Sequence, residues 1–183
     1  MKINAKECCL LLIDIQEKLI PAIFNKDEVI QNAINLIDIA VNLSIPIILT
    51  EQYPKGLGQT LKKIKNVLPP KESFKIEKTT FSCLGSKCFK KILKSLKKKQ
   101  VIVVGIESHI CVLQTSLDLK NNDYEVFIID GGVGSRTLKD HDLGIRRMLS
   151  AKIHLTNIEM LIFELVRDSK HELFKYFSKK YIK

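Results

Sequence analysis

Continuous apolar runs alternate with amphipathic stretches along the whole chain. Residues 8–13 (CCLLLI) and 101–104 (VIVV) have no polar face, the pattern of strands covered on both sides. Between such runs the apolar positions recur every three to four residues, which predicts helices. The order that results is strand 8–14, helix 27–43, strand 45–50, a loop and short helix to 67, strand 72–77 and helix 86–98. Strand 100–105, helix 108–120, strand 124–130, helix 139–149, strand 152–155 and helices to the C-terminus complete it. Strands and helices in alternation with short links predict βαβ units, an α/β fold on a mainly parallel sheet. No repeat, linker or composition break divides residues 1–183, so one domain is expected.

Within that pattern the segment after residue 104 stands out. Gly105 ends the strand, Ser108 is a suitable N-cap, and Val112, Leu113, Leu117 and Leu119 fall at helical spacing. Cys111 would then lie in the first turn of a helix, where unpaired N–H groups and the positive dipole end favour a thiolate and can hold an oxyanion. A lone cysteine in an apolar segment is more often a core residue. Two further strand ends argue for chemistry instead, because Asp14 closes the run 8–13 and Lys78 closes the third strand. Ligand sites in open α/β sheets lie beyond the carboxyl ends of the strands, so Asp14, Lys78 and Cys111 converge on one rim. A carboxylate there takes the thiol proton, and a lysine stabilises the charges and is itself stabilised by the carboxylate.

The segments LLIDIQEKL around Asp14, EQYPKGLG (51–58), EKTTFSC (77–83) and GIESHICVLQT (105–115) give the chain a further identity. In these motifs and in their order it resembles the isochorismatase-like cysteine hydrolases, and most of all the isochorismatase-domain-containing subgroup. The resemblance implies a three-layer α/β/α sandwich with a six-stranded sheet and a homo-oligomer, dimer or tetramer. It also implies a catalytic triad of Asp14, Lys78 and Cys111, a cis peptide between Ile106 and Glu107, and an oxyanion hole from the N–H groups of Glu107 and Cys111. Pocket walls are implied at Gln16, Tyr53, Leu57, Phe81, Ser108 and Ile110, a mixture suited to a small, partly apolar substrate.

One departure from the superfamily narrows the chemistry. Nicotinamidases place an aspartate and several histidines after the second strand to hold a metal, but this chain reads TEQYPKGLGQT there, and its histidines are 109, 141, 154 and 171. Isochorismatases proper typically lack the nucleophilic cysteine, whereas Cys111 is present. The expectation is therefore a metal-independent and cofactor-free hydrolase of an amide, ureide or carbamoyl C–N bond. Asp14 serves as general base and acid in it, and Lys78 as electrostatic support. The alternatives are a catalytically silent binding or scaffold member of the fold and a thiol redox protein using a low-pKa Cys111.

Composition changes this picture little. The net charge is +10, but 26 of the 30 basic residues are lysines rather than the arginines that nucleic-acid readers favour. The densest run, 87–99, sorts into an apolar face of Phe89, Ile92, Leu93 and Leu96 opposite its lysines, so a solvated helix is expected and no nucleic-acid partner. No run is long enough to span a membrane and no signal-peptide pattern is seen, which points to a cytoplasmic protein. Five scattered cysteines fit reduced thiols. His109 is two positions from Cys111 and reads as a turn residue or a subunit contact rather than a base. Cys83 and Cys88 lack the partners of a zinc site. GGVGS (131–135) reads as a tight turn, and Glu51 and Tyr53 follow a strand end from which they can reach the pocket. Leu161, Ile162, Phe163, Leu165, Phe174, Tyr176 and Phe177 are the expected interface.

Overall fold

A computed structural model describes residues 1–70 and 73–182 of the chain. Its six strands are β1 (Cys8–Ile13), β2 (Ile47–Gln52), β3 (Ser73–Lys78), β4 (Gln100–Ile106), β5 (Glu125–Gly134) and β6 (His154–Thr156). They form one sheet in the order β3-β2-β1-β4-β5-β6, every pair parallel. The helices are α1 (Lys26–Asn42), the single turns α2 (Pro54–Leu57) and α3 (Lys62–Lys65), α4 (Lys87–Leu96), α5 (Leu113–Asn121), α6 (Leu138–Ser150), α7 (Ile158–Val166) and α8 (Phe174–Tyr181). Glu72, the first position of the expected third strand, lies outside the described residues, as does residue 183.

Each central strand feeds two cores. Leu10, Leu12, Ile47, Leu49, Ile102 and Val104 point toward α1, α7 and α8, while Cys9, Leu11, Ile13, Ile48, Val101 and Val103 point toward α4 and α5. That two-sided burial is why these strands read as unbroken apolar runs. Helix α1 buries Val29, Ala33, Leu36, Ile37 and Ala40 in a single stripe. Helix α4 is capped by the Ser86 hydroxyl and buries Phe89 and Leu93, leaving Lys87, Lys90, Lys91 and Lys94 exposed.

Consecutive strands run outward from β1 on one side and from β4 on the other, so the chain reverses direction across the sheet between these two. A crevice opens at such a switch point, beyond the strand ends. Gly105 makes the approach of β4 to β1 possible there. Its φ is +129°, and a Cβ at that position would stand 2.1 Å from the Ile13 carbonyl oxygen.

Three elements differ from the pattern. GGVGS is not a turn: β5 continues to Gly134, its register with β4 jumping from Val103↔Ile128 to Gly105↔Val133 through a bulge at Gly131, φ +66°. The expected helix from 108 opens as one wide turn, Ser108–Val112, in which the Val112 N–H reaches the Glu107 carbonyl at 3.1 Å, and α5 follows. Leu161, Ile162, Leu165 and Phe177 are spent on the core beneath α1, which leaves Phe163 and Tyr176 as the exposed aromatic residues of the expected interface. Among the described residues no helix is long and apolar enough to cross a membrane.

Candidate active site

Asp14 follows β1, Lys78 ends β3, and Cys111 sits in the wide turn after β4, so the strand ends on both sides of the switch point converge. The Lys78 Nζ lies 2.7 Å from Asp14 Oδ2, with neither side chain exposed. The same ammonium donates to Gln52 Oε1 at 2.7 Å and stands 3.2 Å from the carbonyl oxygens of Thr80 and Phe81. A buried lysine is costly unless its N–H bonds are all used, and here they are. The other Asp14 oxygen accepts the Thr50 hydroxyl at 2.7 Å. Asp14 itself adopts φ +53°, a left-handed conformation that aspartate tolerates better than most residues.

Cys111 is 8% exposed. Burial pushes its thiol up to about 12, the Asp14 charge and a hydrogen bond to Asp14 push the same way, and Lys78 opposes them. This corrects the expected thiolate. The positive end of a helix does not outweigh burial beside a carboxylate whose own charge is already matched to Lys78. Set beside Asp14, the thiol has a carboxylate of the kind that can serve as its base.

The remaining expected residues divide. Tyr53, 54% exposed, lines a cavity of about 390 Å³ together with Pro54, Lys55, Lys78, Thr80 and Ser86. Its φ is +37°, and its ring lies against Gly56, where an added Cβ would meet it at 2.3 Å. Phe81 is 55% exposed, and Leu57 and Ile110 are half-buried. Gln16 is fully buried, and its amide is consumed by the Gln52 backbone and the Gly58 carbonyl, so it braces the loop after β2 instead of facing a substrate. Ser108 is likewise buried, its hydroxyl 3.0 Å from His141 Nδ1. Glu51 does not reach the pocket, because its carboxylate holds the Thr60 N–H and hydroxyl at 2.8 Å and Lys75 at 3.2 Å. His109 is a turn residue, bonded through Nδ1 to Ser135 Oγ at 3.0 Å.

Sequence reasoning missed Thr50 and Gln52, which complete the surroundings of Asp14 and Lys78. The signal was present: both are polar residues at the end of a strand that opens on isoleucine and leucine. It also missed Cys83, which is buried within reach of the charges of Asp14 and Lys78.

The family model described as the isochorismatase domain matches residues 8–160, a span that contains every strand together with Asp14, Lys78 and Cys111. The chain belongs to the isochorismatase family. Isochorismatase domain-containing protein 2 of Danio rerio is 37% identical to it over 180 residues, covering 97% of this chain and 88% of that protein. Isochorismatase family protein 1A of Dictyostelium discoideum is 37% identical over 172 residues, covering 91% and 82%. Among solved structures, one titled as the MAR1 ribonuclease of Caenorhabditis elegans superposes with a TM-score of 0.93 at 38% identity, covering 100% of this chain and 93% of that one. As a member of this family the protein is a hydrolase.

Proposed function

We propose that this isochorismatase-family protein is a metal-independent cysteine hydrolase of a C–N bond, amide, ureide or carbamoyl, in a small molecule. The observation that carries the reading is the buried Asp14 carboxylate, held by Lys78 and Thr50 on its two oxygens, whose charge acts on the Cys111 thiol. As sulfur attacks the carbonyl carbon, Asp14 takes the thiol proton, and the new oxyanion is met by the N–H groups of Glu107 and Cys111. Asp14 returns that proton to the nitrogen as the C–N bond breaks and the amine departs. Water, deprotonated by Asp14, then attacks the thioester carbon; the acid product leaves and the proton goes back to sulfur. Lys78 holds Asp14 in place through both halves and favours its return to the charged form after each proton it accepts.

The donor set supports a metal-free reaction, since the loop after β2 carries no imidazole and the Glu51 carboxylate near the end of β2 is occupied by Thr60 and Lys75. The low-pKa redox alternative loses its premise with a thiol pushed up to about 12. Tyr53, Leu57, Phe81 and Ile110 are the proposed walls around the substrate, and a cytoplasmic homo-oligomer the proposed setting. RNA enters as a second substrate because the nematode neighbour is titled a ribonuclease. A thiol set against a carboxylate suits a carbonyl carbon better than a phosphodiester.

The test is turnover of a panel of small amides and ureides, with an RNA oligomer included, by the protein and its Cys111→Ala variant. Release of amine by the parent alone supports the reading. Equal activity in both proteins, or cleavage of RNA only, would sink it; no turnover of any compound would favour the silent scaffold.

A further inference from the structure

The turn that carries Cys111 is gripped from one side. Glu107 Oε2 accepts from Arg136 Nε at 2.8 Å, Ser108 Oγ meets His141 Nδ1 at 3.0 Å, and His109 Nδ1 meets Ser135 Oγ at 3.0 Å. Three consecutive side chains are thus bonded to residues within 135–141, the link after β5 and the first turn of α6. The same face of α6 presses on the turn's backbone: a Cβ on Gly144, one turn beyond His141, would stand 3.0 Å from the Ser108 carbonyl oxygen and 3.1 Å from His109 Cα. Of the three bonds only the middle one has a fully buried partner on the turn, because Ser108 is 0% exposed.

We propose that His141 is a positioning residue for Cys111: its unprotonated Nδ1 accepts the Ser108 hydroxyl hydrogen and locks the wide turn on α6 with the sulfur directed at Asp14. This rests on the reading of Cys111 as the nucleophile. Among the described residues Ser108 Oγ has no other hydrogen-bond partner, so the arrangement is satisfied only while the serine donates and the imidazole accepts. A proton on Nδ1 would leave the buried Ser108 hydroxyl with nothing to donate to. The surroundings keep the ring neutral, since burial holds His141 below the usual histidine range. Asp142 on α6, Asp130 on β5 and Glu28 on α1 oppose that, and the Phe24 ring meets the imidazole edge-on at 5.7 Å.

The sign follows. The native state binds this proton less readily than the unfolded chain, so the contribution is complete above about 6.5 and is lost as pH falls through the lower native value. Acid therefore loosens the turn that carries Cys111.

His141→Leu removes the acceptor, and His141→Asn replaces it with an amide oxygen near the position of Nδ1. Two measurements separate this idea from the hydrolase reading. Amide hydrogen exchange over residues 107–112, corrected for intrinsic rates, needs no substrate; at pH 7.5 the leucine variant should exchange there about tenfold faster, the scale of one buried hydroxyl left unpaired, and asparagine should restore protection to within a few-fold. Acylation by p-nitrophenyl acetate, with the adduct mapped to Cys111, should fall about tenfold in the leucine variant. The acid limb seen in the parent should be absent from the asparagine variant. Unchanged exchange in the leucine variant, or an asparagine variant with the parent's acid limb, overturns the role of His141. An absence of any Cys111 adduct in the parent overturns the nucleophile reading instead, and the exchange result still decides the clamp.

Discussion

Lys78 and Asp14 form a fully buried ion pair, 2.7 Å from Nζ to Oδ2, at the junction of two strand ends 64 residues apart in sequence. Removing one partner of such a pair leaves an uncompensated buried charge, at a cost of about 3–5 kcal/mol. Lys78→Met is therefore expected to lower stability by that order and to reduce turnover by about a hundredfold or more, the scale for a lost preorganised charge. The double variant with Asp14→Asn should be less destabilised than the sum of the two singles. Urea unfolding of the four proteins measures the coupling, and strict additivity would show that the pair contributes nothing.

The cysteines should not react in the order that a helix N-terminus suggests. Burial pushes Cys8, Cys9, Cys83 and Cys111 each up to about 12, while Cys88 is exposed. Iodoacetamide at neutral pH should label Cys88 first. Asp14→Asn removes a charge that holds Cys111 protonated and leaves Lys78 beside it, so alkylation of Cys111 should accelerate while hydrolysis falls by about 10²–10⁴. Slower alkylation in that variant, mapped by mass spectrometry, would contradict the assigned electrostatics.

The layered α/β fold was legible because burial on both faces writes a strand as an unbroken apolar run; Asp14 stood out at the end of such a run, and Lys78 at the end of a shorter, mixed strand. The bulge at Gly131 was not legible, since a glycine pair after a polar residue reads equally as a turn, and only the register with β4 distinguishes them. Nor was the thiol's protonation state. Position in a helix can be read from spacing, but the opposing influence of burial and a carboxylate from another strand exists only in three dimensions. Gln16 and Ser108 were placed at the pocket for the same reason: sequence gives nearness to the motif, not the direction in which a side chain spends its hydrogen bonds.

Glu51 predicts an acid limb in stability. Burial alone would raise its pKa, yet the Thr60 N–H and hydroxyl and the Lys75 ammonium outweigh that and hold it below the usual range. A depressed native value means stabilisation that is present above about pH 4.5 and is lost as pH falls through the native value. Glu51→Gln should cost about 1–3 kcal/mol at pH 7, the worth of hydrogen bonds to a charged group, and should flatten the decline below pH 4.5. Urea midpoints at pH 7, 4 and 3 provide the comparison, and a parallel acid limb in the variant would assign it to other carboxylates.

Chelation should leave turnover unchanged. Metal sites need several well-placed donors, and the loop after β2 offers oxygen and amide groups already engaged in holding itself together. The check is activity before and after exhaustive dialysis against EDTA, with metal analysis of the protein. Loss that zinc, iron or manganese restores would replace the metal-free mechanism.

Self-association is expected to use α6 more than the C-terminal helices. The apolar residues of α7 and α8 are largely committed to the core, whereas Leu138, Leu143 and Leu149 on α6 are 58%, 59% and 47% exposed. Apolar groups of that size left in water favour an interface, and closed symmetric assemblies are the usual outcome. A net charge of +10 opposes association at low ionic strength, so the oligomer should tighten as salt rises to physiological levels and screens the repulsion. Light scattering at 0.01 M and 0.15 M salt, on the order of a threefold to fourfold change in Debye length, should show the mass rising toward that of two or four chains. Leu138→Asp with Leu143→Asp should hold the protein at one chain without unfolding it, because neither side chain belongs to a core. A monomer at both salt levels would rule out the oligomer, and an oligomer that survives both substitutions would move the interface elsewhere.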